Sequence, residues 1–541
     1  MTPQRQEADE LSVDLRNVAR GGVFSLIGAV VSALFGFLLV VVVTRGLHTL
    51  GSGVFFTAVA LFTIVSNVGE LGADTGLVRM ISRYRANQRI DDLRPLLSAA
   101  LIPVLAACIV LGALMFVFAP FLAHTFMRGA RGEDGTVYLR TMAPFVPLAA
   151  ASTVALAGTR GFASVVPVVL INSIGRPVAR VLLAALVIAL GAGGLAVALS
   201  WSLPVAVAFV LGVWILYRQL RRAEGTLKRR ARRPRPFAEV AGELWRFAAP
   251  RGMAAVFEIT ILWLNVLMVG ALASARDAGI YAAASKFVTT GTFVLEASRL
   301  AVAPRISALL AVRRERHAEE LMQAATGWVI AASWPIYLML AVFAPVILRI
   351  YGEDFVAGGL ALTVMSLAVL VNLGTGNVQT VLLMAGRSSW NLANMAAALA
   401  INFGLGLLLI PRHGVTGAAI AWSAGMIFDN VASVVQVRML LGLRTVGARS
   451  LVVGVAAAAC YGLLGLAGRI VLGASLPSLV AFGALGTACY GLVVWRRRDS
   501  LQLTVLRGAL LPSRAAGRQA EHSTPPRHSR RTMRDEVVHR Q

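Results

Sequence analysis

The sequence predicts an all-α polytopic membrane protein with about fourteen transmembrane helices, arranged as two pseudo-symmetric six-helix lobes plus two extra helices. Three observations lead to this prediction. The 541 residues are 57% hydrophobic and only 14% charged, whereas soluble proteins are about a quarter charged. Apolar runs of about 20 residues, the length that crosses a bilayer, recur along the chain. A stretch of the first half of the chain also returns in the second half.

Fourteen apolar runs are long enough to cross a bilayer. The number of Arg residues in successive loops alternates: loops assigned to one side of the membrane carry many, and loops assigned to the other side carry few. An excess of basic residues marks the cytoplasmic side. The alternation therefore predicts a multi-pass protein of the bacterial cytoplasmic membrane with both termini in the cytoplasm. The runs start near residues 21, 53, 96, 137, 165, 194, 244, 279, 320, 356, 388, 415, 450 and 475.

The internal repeat keeps its register. A stretch that begins at Gly53 returns at Gly279, and a Trp-Ser pair at Trp201 returns at Trp422 at a slightly shorter offset. Six spans per repeat is an even number, so both lobes should have the same orientation, related by an axis along the membrane normal. At the offset of the first stretch, Glu70 also aligns with Glu296 and Arg79 with Arg305.

Charge and apolar pattern divide the chain into six segments. The net charge of +25 is spread over short loops, a linker and the tail, so it does not indicate a nucleic-acid partner. The linker serves as an orientation signal and tether, or additionally attracts anionic lipid. The segments are a cytoplasmic N-terminal segment (1–20), an N-lobe of spans 1–6 (21–217), a basic cytoplasmic linker (218–243), a C-lobe of spans 7–12 (244–442), spans 13–14 (443–495) and a disordered basic cytoplasmic tail (496–541).

Motifs for enzyme chemistry are missing from the sequence. Cys108, Cys460 and Cys489 lie in separate apolar runs without ligand spacing. There is no Gly-rich phosphate loop with Lys-Ser/Thr and no nucleophile elbow. The predicted outer loops are too short to hold an acceptor domain. We therefore expect neither an enzyme nor a bound cofactor or metal.

Ionisable residues inside spans are the best candidates for a site, since each costs about 2.5–3.5 kcal/mol on insertion scales unless it faces a cavity or a partner. Span 5 contains Arg176 and Arg180, which share a helix face, and Pro177, which favours a kink. If the helix starts near residue 165, both guanidinium groups lie roughly 16–23 Å deep. They suit a phosphate or diphosphate. Alternatively, span 5 starts later and both side chains reach the inner headgroups.

Four further residues are candidates for substrate binding. Arg251 and Asn265 form one polar stripe with Glu258 along span 7, which is either a cavity wall or a structural pair with a neighbouring helix. Lys286 lies near the outer end of span 8. Asn377 belongs to a Gly-rich stretch of span 10 that indicates a broken helix, a frequent feature of transporter sites, or ordinary polar packing. The substrate-binding candidates are thus Arg176, Arg180, Arg251, Lys286, Asn265 and Asn377.

Five acidic residues within predicted spans could carry a proton or bind a coupling cation, and the sequence does not choose among them. Glu296 lies three residues from Arg299, so these two can instead pair with each other. The ion-coupling candidates are Glu70, Asp74, Glu258, Glu296 and Asp429.

Several motifs also follow one another in a specific order. They are Arg45-Gly46-Leu47 with Gly69-Glu70-Leu71-Gly72, Gly279-Ile280-Tyr281-Ala282 with Ala303-Pro304-Arg305, Tyr351-Gly352-Glu353-Asp354-Phe355, and Pro411-Arg412-His413-Gly414. In this order they resemble motifs of the polysaccharide flippases within the multidrug/oligosaccharidyl-lipid/polysaccharide exporter superfamily. The resemblance covers nearly residues 15–495.

The resemblance implies fourteen helices in two lobes around a central, often cationic cavity, and export of polyprenyl-diphosphate-linked oligosaccharides by alternating access. The expected partners are a lipid-linked glycan, the lipid bilayer and a glycan polymerase or other envelope-biosynthesis protein. The family has no invariant motif to assign single site residues. Two alternatives stay open, namely an ion-coupled multidrug-type exporter on the same scaffold and a non-transporting membrane scaffold for envelope-glycan enzymes.

Overall fold

The structure is a computed structural model that describes residues 3–130, 132–225, 235–291, 293–312 and 314–497. Every regular element within these ranges is a helix. The predicted disordered tail lies almost entirely outside the described residues, as do positions 226–234 of the predicted linker.

The described residues contain the predicted fourteen spans. Eleven stretches are long and apolar enough to cross a membrane. Two of these, divided at His48 and Gly414, each hold two spans. The helix pair Ala275–Thr290 and Phe293–Ala311 supplies the remaining one as span 8. The prediction of an all-α polytopic membrane protein is confirmed.

Spans 1–6 are built from helices and short helical turns in simple succession. Spans 1 and 2 are the two halves of Pro3–Glu70, so that residues 3–20, predicted as a separate segment, continue span 1. The following elements are Ala73–Ala86, Ile90–Asp92, Leu93–Val117 (span 3), Ala119–Phe126, Gly132–Met142 with Ala143–Phe145 and Val146–Gly161 (span 4), Val168–Gly175 with Arg176–Ala189 (span 5), and Gly194–Gly225 (span 6).

Spans 7–14 follow the same plan. Span 10 is broken at Gly376, whose φ is 67°, as the Gly-rich stretch predicted. The elements are Phe237–Leu272 (span 7), Ala275–Thr290 with Phe293–Ala311 (span 8), Glu315–Val342 (span 9), Ala344–Leu348, Glu353–Gly358, Gly359–Thr375 with Val378–Met384 (span 10), Ser388–Leu441 (spans 11 and 12), Ala448–Ala457 with Ala458–Leu463 and Leu464–Leu472 (span 13), and Leu476–Arg496 (span 14).

The breaks between spans repeat at the offsets found in the sequence. The offset that aligns Gly53 with Gly279 also aligns His48, where spans 1 and 2 divide, with Ser274, the N-cap of span 8. The offset that aligns Trp201 with Trp422 places Gly193, between spans 5 and 6, on Gly414, between spans 11 and 12. The two halves are therefore structural repeats. The lobe boundaries at residues 217 and 244 stay predictions, and helix extends into both ends of the linker, to Gly225 and from Phe237.

The two lobes meet most closely where repeat-related glycines cross. We call outer the end of a span that the Arg-poor loops join, and inner the opposite end. At the outer end of spans 2 and 8, a Cβ on Gly53 would overlap the carbonyl oxygen of Ala275, and one on Gly279 would lie 2.5 Å from that of Thr49. Small residues permit such close backbone approach in membranes. Contact between equivalent residues is what a two-fold axis produces.

A second crossing joins the inner end of span 2 to span 7. A Cβ on Gly252 would lie 2.5 Å from the carbonyl oxygen of Leu71, and Gly72 faces the backbone of Ala248 and Gly252 in return. Gly72 has a φ of 75°, which fits the left-handed turn between Glu70 and the following helix. Span 2 therefore touches the C-lobe at both of its ends.

Polar contacts reinforce the lobe interface at both ends. At the outer end, Arg45 donates hydrogen bonds to the carbonyl oxygens of Arg349 (2.9 Å) and Ile350 (2.8 Å). At the inner end, Glu243 of span 7 accepts from Arg83 (2.7 Å), Tyr84 (2.8 Å) and Arg235 (3.0 Å), and Arg235 also pairs with Asp92 at 3.0 Å.

The glycine crossing gives a stability prediction. Gly53→Ala should lower the free energy of unfolding by about 1–3 kcal/mol, because the new methyl group meets backbone atoms that cannot turn aside. Gly404→Ala, whose Cβ meets no atom within 4 Å, is the matched control. Thermal unfolding in detergent measures both. Equal melting temperatures for the two variants would contradict the crossing.

The predicted orientation can be read from the two ends of one helix. Gly193 and Gly225 flank span 6, and a Cβ at either position meets no atom within 4 Å. In a protein whose native cysteines are replaced, we expect a membrane-impermeant thiol reagent to label Gly193→Cys in intact cells. Gly225→Cys should react only after permeabilisation. The reverse pattern would place the termini outside.

Candidate functional site

Arg176 and Arg180 lie well inside span 5. The helix begins at residue 166, which places the two residues about 15 and 21 Å along it at 1.5 Å per residue. The helix therefore starts where the deeper placement of both arginines expected it to start, and their depth in the membrane stays a prediction. The turns before Arg176, Val168–Gly175, are widened to a π-helix, which is the local irregularity that Pro177 predicted.

Arg176 is partly buried and only partly satisfied. It donates to the side-chain oxygen of Asn172 at 2.6 Å, while its buried Nε has no hydrogen-bond partner among the described residues. Its side chain lines a cavity of about 240 Å³ between spans 5 and 6. Glu70 of span 2 lies within electrostatic range of Arg176 and of Asp74, and it faces the hydroxyl of Thr153. The N-lobe therefore brings Arg176, Glu70 and Asp74 together.

Arg180 is held by a single aromatic residue. Its Nε donates to the carbonyl oxygen of Trp201 at 3.2 Å, and its guanidinium lies 3.5 Å from the centre of the Trp201 ring. The same ring packs edge-on against Phe55 at 5.7 Å. Arg180 thus links span 5 to span 6 and, through Trp201, to span 2.

The C-lobe contains a cleft of about 1020 Å³ between spans 7 and 11. Arg251 and Glu258 line it and pair with each other at 3.2 Å while staying 44% and 53% exposed. Most of the other lining residues are apolar, such as Ile261 and Leu399. These two residues therefore line a cavity, as the first alternative predicted, and the pair that they form lies within one helix and not between neighbouring helices.

Asn265 does not continue this stripe, so the sequence interpretation of span 7 is wrong at this residue. It is 2% exposed, does not line the cleft, and its Oδ1 has no partner in the described part of the chain. An α-helix drifts by about 20° per seven residues, and the outer part of span 7 packs on the N-lobe, where Gly270 meets Phe126.

Lys286 lies deeper than predicted because span 8 begins at Ala275 and not near residue 279. It is about 16 Å from the outer end of the helix, and a Cβ on Gly36 of span 1 would lie 3.2 Å from its Nζ. Glu296 and Arg299 form the ion pair that their spacing allowed, at 2.6 Å. Asn377 is buried at the break in span 10 and donates to Ser298 at 2.9 Å, which is a packing contact.

A smaller polar cavity of about 180 Å³ adjoins the cleft and shares Ile261, Met395 and Leu399 with it. Asp429 lines this cavity and accepts from Gln379 at 3.0 Å. Unpartnered oxygens on three lining residues, Asp429, Asn372 and Asn402, are buried within the described structure.

The sequence interpretation missed most of this polar group. Asn391 and Asn402 did not rank as candidates because span 11 contains no ionisable residue that would have drawn attention to them. The available signal was the spacing of Asn391, Asn394 and Asn402 along a span that is otherwise apolar. In the structure Asn394 pairs with Gln436 of span 12 at 2.8 Å and 2.7 Å.

The arrangement can bind and orient a charged ligand. Among the described residues, no group of three or more His, Cys, Asp or Glu side chains could hold a metal ion. Guanidinium groups lie within the spans of both lobes, and a large cleft opens in one of them. Two repeated bundles that touch at both ends and hold charged groups between those ends define a membrane transporter fold.

Comparison with solved structures supports this class. The chain superimposes on a structure described as the lipid II flippase MurJ in an inward closed conformation, with a TM-score of 0.67 and 12% identity over 88% of this chain and 99% of the other. An inward-facing multidrug resistance MATE family transporter of the MOP superfamily gives 0.61 and 15% over 76% and 95%. The Vibrio cholerae MATE transporter VcmN gives 0.53 and 16% over 79% and 97%. At these identities the likeness shows a shared fold.

The sequence also matches the family described as "Polysaccharide biosynthesis protein" over residues 18–310, more than half of the chain. The chain therefore belongs to this family, and the resemblance seen in its motifs is confirmed. No curated protein sequence matches it.

The contact between Arg180 and Trp201 gives a prediction for a double-mutant cycle. Arg180→Ala and Trp201→Ala should each destabilise the protein, and the double variant should lose less than their sum by about 0.5–2 kcal/mol. Arg218, which lies over a different ring, that of Trp214, is the control partner. Arg218→Ala and Trp201→Ala should add within about 0.5 kcal/mol. If the effects of the two substitutions were additive in both cycles, the energetic contribution of the Arg180–Trp201 contact would be contradicted.

Proposed function

We propose that the protein is a flippase that moves polyprenyl-diphosphate-linked oligosaccharide, or a related glycolipid, across the bacterial cytoplasmic membrane by alternating access, for cell-surface polysaccharide biosynthesis. Family membership and the transporter fold support the general class. The observation that carries the specific proposal is the presence of guanidinium groups inside the spans of both lobes, at Arg176, Arg180 and Arg251.

The physical task explains these groups. A diphosphate and its sugars cannot be solvated by hydrocarbon, so a protein that carries them must supply charge and hydrogen bonds along the way. Guanidinium binds phosphate oxygens in pairs. Arg176 has an unsatisfied buried Nε, and Arg251 uses one of its five N–H groups on Glu258, so both keep donors for a substrate.

Alternating access requires the two ends of the lobe interface to open in turn. The outer end is closed by Arg45 and the Gly53–Gly279 crossing, and the inner end by the bonds to Glu243. Opening the inner end exchanges these hydrogen bonds for water and separates Gly72 from Gly252, while the outer crossing stays closed.

Coupling to an ion gradient belongs to the same proposal. Glu258 and Glu296 are paired with arginines, which leaves Glu70, Asp74 and Asp429 as the acidic residues for this role. Asp429 has the better setting for a small cation, because carboxylate and amide oxygens without partners line its cavity.

A second candidate function is ion-coupled export of drug-like molecules, which the likeness to the MATE transporters favours. That function needs an acidic binding site for cationic drugs. Raised drug resistance in cells that express the protein, without any transport of lipid-linked glycan, would favour drug export over the flippase function.

The test is transport of a fluorescent polyprenyl-diphosphate oligosaccharide by the purified protein in vesicles. Arg176→Gln and Arg251→Gln should each slow transport about tenfold or more, since a charged hydrogen bond is worth about 1.5–3 kcal/mol, with unchanged protein amounts. Arg316→Gln, whose side chain is 92% exposed, is the matched control. Wild-type rates in both site variants would refute the site, and no transport by the wild type would refute the function.

A further inference from the structure

The cleft between spans 7 and 11 has the shape of a site for a chain. Both helices run from the inner to the outer end, and the lining residues extend from Arg251 to Leu264 on one and from Ser389 to Phe403 on the other. Each stretch is about 20 Å long at 1.5 Å per residue. The cleft is therefore a long groove along the membrane normal.

The two ends of the cleft differ in chemistry. Arg251, Ser389 and Asn391 lie at the inner end, and the buried Oδ1 of Asn391 has no partner within the described residues. Towards the outer end the lining consists of Ile261, Leu264, Met395, Leu399, Ala400 and Phe403. One end of the groove holds the paired Arg251 and Glu258 with further polar side chains, and its body is apolar. Such a groove complements an amphiphile whose head has phosphate oxygens to which Arg251 can donate.

The cleft is specific to the C-lobe. In the N-lobe the equivalent spans 1 and 5 are packed together, since a Cβ on Gly28 would lie 2.6 Å from Val169. Gly28 aligns with Ala254, which lines the cleft. Spans 7 and 11 approach each other closely near the outer end, where a Cβ on Gly406 would lie 2.6 Å from Met268. The pair therefore opens towards the inner end.

The side of the cleft is open to the surface of the bundle. Phe257 is 51% exposed and Phe403 is 46% exposed. A hydrophobic chain can thus enter sideways from lipid without passing either end of the lobe interface. The inner end adjoins the crossing at Gly252, which touches Leu71 of the other lobe. A head at Arg251 would therefore lie beside the lobe interface.

We propose that the cleft between spans 7 and 11 binds the polyprenyl chain of the substrate, with its diphosphate at Arg251. This inference rests on the proposed function and adds where the lipid part of the substrate is held. The length favours this occupant over a bulk phospholipid, since one leaflet spans only about half of the ~30 Å hydrocarbon core. Arg251 keeps four N–H groups for phosphate oxygens beside the one that Glu258 accepts.

The test uses the purified full chain in nanodiscs and undecaprenyl diphosphate with a photoreactive group in the part of its chain next to the diphosphate. Crosslinks should map to residues 254–264 and 392–403. Ala400→Phe fills the apolar part of the groove, and Ala254→Phe fills it from the opposite helix. Ala393→Phe is the matched control, because Ala393 is exposed on the same helix but does not line the cleft.

Each filled variant should bind undecaprenyl diphosphate about tenfold more weakly, as expected when about two buried methylene groups are lost. Farnesyl diphosphate, whose short chain stays near the inner end, should bind Ala400→Phe within about twofold of the wild type. The control should bind both ligands as the wild type does. Melting temperatures measured in parallel identify a variant that fails to fold. In that case the result from the other filled variant tests the inference.

Three results would overturn the inference. They are crosslinks confined to other spans, wild-type binding in both filled variants, and equal labelling by a phospholipid probe that undecaprenyl diphosphate does not displace. The proposed function is judged separately by transport in vesicles. If the wild-type protein transports the substrate and the filled variants bind it normally, only the cleft site is refuted. If the wild-type protein does not transport the substrate, the proposed function is refuted.

Discussion

Hydrocarbon offers no hydrogen bonds, and this constraint organises the molecule. Each backbone amide within a span must be satisfied internally, so the membrane region is helical throughout the described chain. The same constraint applies to side chains. Arg180 finds a carbonyl oxygen and an aromatic face, Glu296 finds Arg299, and Asn394 finds Gln436. Among the described residues, some buried polar groups without a partner line cavities, and these mark the candidate site: Arg176, Asn372, Asn391, Asn402 and Asp429.

The internal repeat gives two similar helix bundles, and local differences between them make the two lobes structurally asymmetric. The repeats meet at equivalent glycines, Gly53 and Gly279, which keeps the lobes close on one side of the membrane. Away from that contact the halves differ. Spans 1 and 5 are joined at Gly28, while Ala254 and the charged residues Arg251 and Glu258 line an open groove in the other half. One lobe is compact, and the other has room for a ligand.

The span count and the repeat could be predicted because hydropathy and register are local properties of the chain. The breaks at His48 and Gly414 fall where the sequence placed loops, although each takes only one non-helical residue. Asn265 was mistaken for a cavity residue because its exposure depends on what covers the outer half of span 7. The cleft could not be predicted, since it depends on the distance between helices far apart in sequence. Asn402 was missed because, unlike Asn265, it has no ionisable residue along its own span.

The two closures of the lobe interface differ in charge. At the outer end Arg45 is bonded to main-chain carbonyl oxygens, which carry no net charge. At the inner end Arg83 and Arg235 form ion pairs with the carboxylates of Glu243 and Asp92. Salt screens attraction between exposed charges, so high ionic strength would loosen the inner closure more than the outer one.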